Sequence, residues 1–114
     1  MRKMQDFDEL KFFAEVKNRP GVYFGKPSLL SLRDLLFGME YAFSFSCDET
    51  PLRYFQAFVA WYQNEKLEDQ NGYACWWNHL LYICCNHDRY AFEHFFVVFE
   101  RYLQDVHHTS LPPV

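Results

Sequence analysis

No run of apolar residues in this sequence is long enough to cross a bilayer. Glu93, Glu100 and Arg101 interrupt its most hydrophobic stretch. That excludes a membrane-spanning helix. Strand-like alternation of apolar and polar residues is also lacking, which argues against a sheet. No internal repeat or low-complexity segment interrupts the chain, so the whole of residues 1–114 reads as one helical domain.

Paired metal-ligand spacing is missing too. The four cysteines are Cys47, Cys75, Cys84 and Cys85. Structural zinc sites draw on closely spaced ligand pairs from two places in the chain. Cys84 and Cys85 are adjacent, and on a helix their side chains diverge by about 100°. His79 and His87 lie nearby but do not complete a pattern, so neither metal nor cofactor is expected. Residues 1–11 carry charges where a secretory leader would be apolar. The expectation is a cytosolic protein with reduced thiols.

Basic residues are scarce after residue 46. Residues 1–46 carry a net charge of +1, residues 47–72 of −3 and residues 73–114 of −2. Such a chain repels phosphate backbones, which disfavours nucleic acid. It is steered toward a basic protein partner instead. Catalytic sets are thin as well. Cys75 or Cys85 beside His79, His87 or His94 would be a thiol in aromatic surroundings, with a raised pKa and little reactivity. Glu93 and Glu100 share a helix face with the character of a solvated surface. No enzymatic activity is expected from these residues.

What the sequence does have is rings: 13 Phe, 8 Tyr and 3 Trp. Helical spacing places most of them on buried stripes. A short first helix runs from an Asp6 cap to Asn18, with Glu9 closing a capping box. Two prolines and two glycines in residues 19–28 predict an ordered loop, with Val22, Tyr23 and Phe24 packed over the bundle. Ser28 caps a second helix with an apolar face of Leu29, Leu32, Leu35, Leu36, Met39, Ala42 and Phe43. Gly38 sits inside it, and a close helix crossing would explain its presence. Thr50 and Pro51 start a third helix, whose stripe is Leu52, Phe55, Phe58, Val59 and Tyr62. A fourth, from Tyr73 to Cys85, is apolar nearly all round and so is expected to be central. A fifth opens at Asn86 or Asp88 and carries Phe92, Phe95, Phe96, Phe99, Tyr102, Leu103 and Val106. The tail from Thr109 is expected to fray. The predicted architecture is all-α, an up-down bundle of four main helices plus a short N-terminal one.

The segment Arg19-Pro20-Gly21-Val22-Tyr23-Phe24-Gly25 looks like a loop of the ATPase domain of type II topoisomerases. That larger α/β domain needs further nucleotide motifs, and none follows here. The longer run to Leu29, with Leu32, Leu35, Gly38, Met39, Glu40, Tyr41 and Ala42, resembles small helical bacterial proteins with an Arg-Pro-Gly-x-Tyr-x-Gly loop. Trp76, Trp77, Phe95 and Phe96 extend the likeness, while Val22 stands where Met is usual. These proteins are similar to immunity proteins of toxin systems, including contact-dependent growth inhibition. The resemblance implies binding of a cognate toxin domain, a basic nuclease, and blockage of its active site. The expected contacts are Glu65, Glu68 and Asp69, then Asp48 and Glu49, with Tyr23, Phe24 and Trp61 as aromatic anchors. The alternative is a small helical enzyme or ligand-binding domain with a pocket formed by Trp76, Trp77, His79, Cys84 and Tyr90.

Overall fold

The computed structural model describes residues 7–66 and 75–114. Six helices occupy them, and no strand occurs among the described residues: α1 Glu9–Asn18, α2 Pro20–Phe24, α3 Leu29–Ser46, α4 Arg53–Lys66, α5 Trp76–Ile83 and α6 Asp88–His107. The all-helical class expected from the apolar periodicity is what the chain adopts. No helix among the described residues is long and apolar enough to cross a membrane.

The centre of the fold is α6 rather than α5. It packs against α3, α4 and α5 and buries Ala91, Phe92, Phe95, Phe96, Val98, Phe99, Tyr102 and Leu103. Its repeat of apolar residues at three- and four-residue intervals keeps one broad face inward. Val106, expected on that stripe, is exposed. By contrast, α5 buries only Trp76 and Leu80 and leaves Tyr82 and Ile83 in solvent.

The core is a lattice of rings. Phe95 lies within 6.4 Å, centroid to centroid, of Phe13, Phe58, Trp76, Phe96 and Phe99. Most of these pairs are tilted or edge-on, the arrangement that ring quadrupoles favour.

Residues 20–24 form a helical turn where a loop was expected. The order of the breakers explains it. Pro20 stands at the first helical position, where its missing N–H is no loss. Gly25 follows the last residue with φ +80 and donates its N–H to the Gly21 carbonyl. Val22 does not pack over the bundle, being 76% exposed. Phe24 turns inward, with its ring edge on Phe92, and Tyr23 lies edge-on to Phe12.

Two carboxylates cap helices from elsewhere in the chain. Asp88, at the start of α6, accepts from the Ser28 hydroxyl at 2.5 Å and from the Leu30 N–H at 3.0 Å, which ties α6 to the start of α3. Ser28 also caps α3 by accepting from the Ser31 N–H, as its position predicts. Glu9 does not close a local capping box. Asp8 caps α1 by accepting from Lys11 N–H, while the expected cap, Asp6, lies outside the described residues. Glu9 instead reaches the start of α4, where its two oxygens accept from the Tyr54 and Phe55 N–H groups at 2.8 and 2.7 Å. Helix α4 begins at Arg53, not Pro51, and the Thr50 hydroxyl accepts from Leu52 N–H just before it.

The segment after α6 is folded back instead of frayed. His108 adopts a left-handed conformation and the Thr109 N–H bonds the Leu103 carbonyl. Leu111 then packs against the core.

Candidate interaction surface

Helix α3 has two apolar faces, and the described residues cover only one of them. Leu29, Leu32 and Leu36 are fully buried. On the other side, Phe37, Tyr41 and Phe45 recur every four residues and are 51, 72 and 69% exposed. Residues four apart are neighbours on a helix surface, so the three rings form one ridge, about 12 Å long at the helical rise. Tyr41 and Phe45 meet edge-on at 5.1 Å and hold each other in place. Ala42, expected on the buried face, is exposed beside this ridge. So is Gly38, and a Cβ added there would meet nothing within 4 Å. No helix of the described chain crosses at Gly38, contrary to the expectation for it.

The ridge stands in an acidic surround. Between Arg33 and Arg53 the sequence has four acids, Asp34, Glu40, Asp48 and Glu49, and no base. Asp34, before the ridge, is exposed and ion-paired with Arg33 at 2.9 Å; Asp48 and Glu49 are exposed just beyond the end of α3. Glu40 and Asp48 help line a notch of about 340 Å³ with Phe43, Ser44, Cys47, Thr50 and Gln56. Aromatic side chains bury about 150–250 Å² each, so at the exposures above the three rings offer roughly 400 Å². A standard interface takes about 800 Å² from each partner. The ridge is therefore the size of an interface's apolar centre, with carboxylates on one flank and past one end.

The residues expected to bind a partner are dispersed. Asp48 and Glu49 belong to this surface, and Glu65 is exposed near the end of α4. Glu68 and Asp69 lie outside the described residues. Tyr23 is engaged within the chain, its hydroxyl donating to Glu15 at 2.9 Å and its ring edge-on to Phe12. Phe24 packs on the core, and Trp61 is half-buried against Phe58 and Tyr102. Phe24 and Trp61 each turn part of the ring toward the core and are only partly buried. The exposed ridge of Phe37, Tyr41 and Phe45 was missed, although its four-residue spacing is plain in the sequence.

The residues of the alternative pocket do not converge. Trp76 is buried with its ring edge-on to Phe55. Trp77 carries the Arg33 guanidinium 4.4 Å above its ring. Tyr90 is exposed and stacked on His87 at 3.9 Å. His79 shares a 2.5 Å hydrogen bond with the Tyr62 hydroxyl and borders an open hollow of about 390 Å³ with Asn78, Tyr82 and Asn86. Burial lowers the His79 pKa and pushes Tyr62 up to about 12. Burial also raises the Cys84 thiol, with the neighbouring Cys85 adding to it. A thiol shifted that way is a poor nucleophile at neutral pH. Among the described residues, no group of three His, Cys, Asp or Glu side chains could hold a metal ion.

A second titratable cluster lies where α1, α4 and α6 meet. Glu9 is 7% exposed, and burial raises its pKa to about 7 against the lowering effect of its two backbone hydrogen bonds and of Arg53. The Tyr102 hydroxyl is 2.7 Å from His107, and Tyr54 lies edge-on to the same imidazole. Arg53, Tyr54 and His107 line an open hollow of about 240 Å³. The Glu9 oxygens are committed to the α4 N-terminus, so this cluster reads as a structural clasp.

No protein-family model, curated protein or solved structure matches this chain.

Proposed function

We propose that this chain acts by binding a basic protein through the exposed ridge of α3, as an immunity protein that neutralises a toxin domain. The observation that carries the reading is the row Phe37, Tyr41 and Phe45, left in solvent inside an acidic surround. Rings of this size exposed side by side are the usual anchors of tight complexes, and patches of a few hundred Å² on a small protein mark contact sites. Glu40 beside the ridge, with Asp48 and Glu49 past its end, favours a cationic partner and speeds its approach. A nuclease fits, because its substrate groove is basic and the acidic rim can occupy it in place of phosphates. The reading places the protein in the cytosol as a binder without catalytic activity. It also carries an up-down order of α3 to α6, favoured by the short α5–α6 connection, residues 84–87.

The test is to mix the purified chain with a toxin domain encoded beside it. A stable complex and survival of toxin-expressing cells are expected. Absence of a complex at micromolar concentration, together with no protection, would sink the proposal.

A further inference from the structure

The shape of the α3 surface says more about its occupant. Phe37, Tyr41 and Phe45 make a ridge along one four-residue row, and Gly38 and Ala42 make a shallow groove along the next. Both rows are open to solvent. A ridge beside a groove at this spacing is what one helix presents to another in the commonest helix-packing class, with axes crossing at about −50°. Glycine at the floor of the groove lets a second backbone approach closely. Among the described residues nothing uses this feature, since none comes within 4 Å of a Cβ added at Gly38.

Charge decides between occupants. A second copy of α3 would fit the ridge and groove by two-fold symmetry. It would also set Glu40, Asp48 and Glu49 of both copies around one seam, with no base between residues 33 and 53 to offset them, while Asp34 is already paired with Arg33. Like charges juxtaposed in this way suppress a partner. A helix with an apolar face and basic flanks meets the same surface without that conflict. We infer that the α3 ridge and groove receive an amphipathic helix of the partner protein, flanked by Lys or Arg, crossing over Gly38. This rests on the binding function proposed above.

The probe is a stapled peptide helix with leucines on one face and lysines on both flanks, paired with a glutamate-flanked counterpart. Titration is followed by backbone amide chemical shifts. The lysine peptide should bind with shifts centred on residues 34–49, more weakly as salt rises, and the glutamate peptide should not bind. Gly38→Leu fills the groove at a position with room for a side chain, so its unfolding midpoint should not fall. Its affinity for the lysine peptide should drop by about tenfold or more, as should that of Tyr41→Ala. Unchanged binding by both variants overturns the inference. So does a wild-type dimer in sedimentation that Gly38→Leu dissociates, because the occupant is then a second copy. With the cognate toxin domain, a complex unaffected by Gly38→Leu overturns the helix inference alone. No complex with the wild-type chain overturns the binding function and the inference with it.

Discussion

Glu9→Ala is expected to destabilise the fold by about 2–4 kcal/mol at pH 5. The carboxyl is the only hydrogen-bond partner that the described chain gives the Tyr54 and Phe55 N–H groups at the start of α4, and removing it leaves two backbone donors unpaired in a region where water has little access. Its ionisation has a separate signature. Burial raises the folded-state pKa from 4.5 to about 7. Below the lower value the group is protonated in both folded and unfolded chains. Between the two, the folded chain keeps a proton that the unfolded chain has released, so stability falls as pH rises. Above about 7 both are ionised and the loss is complete, about 3 kcal/mol for a shift of this size. Glu9→Gln cannot ionise. Urea unfolding at several pH values should show a wild-type curve declining between pH 4.5 and about 7 relative to Glu9→Gln. Parallel curves would show that Glu9 titrates alike in both states.

Phe95→Ala is the larger change. The ring is fully buried and touches five others, from α1, α4, α5 and α6. Truncating such a ring removes its burial and leaves a cavity that surrounding rings cannot fill, at a cost of about 3–5 kcal/mol. Domains of this size are stable by only about 5–15 kcal/mol. The variant is therefore expected to unfold at much lower denaturant concentration, or to be unfolded at 37 °C. A midpoint within error of wild type would mean that the rings are not the main support of the fold.

How far the sequence revealed this structure depended on whether a signal was local. The α6 stripe was legible because Phe92, Phe95, Phe96 and Phe99 repeat at helical spacing within one segment. The Ser28 cap was legible for the same reason. Helix α2 was not, because Pro20 and Gly25 count as breakers until their order is considered: proline first and glycine last bracket a turn of helix. Glu9 was read as a local cap, since nothing in residues 6–12 shows that its partners are Tyr54 and Phe55. The apolar character of α5 suggested a central helix, yet Tyr82 and Ile83 face solvent, so hydrophobicity did not say which helix is surrounded. The same ambiguity hid the α3 ridge. Two apolar rows run along that helix, and only its neighbours determine that the leucine row is covered and the aromatic row is not. Asp48 and Glu49 were legible as a turn after this helix and are exposed there, but the rings beside them were not.

The most direct measurement of the proposed binding function is the affinity of a toxin domain encoded beside this chain for a variant in which Phe37, Tyr41 and Phe45 are all replaced by serine. These rings are largely outside the core, so the variant should keep its helical circular dichroism and unfold cooperatively. Loss of three clustered aromatic anchors should weaken the complex by about a hundredfold or more, with protection of toxin-expressing cells lost in parallel. A folded triple variant that binds and protects as well as wild type would contradict the assignment of this surface.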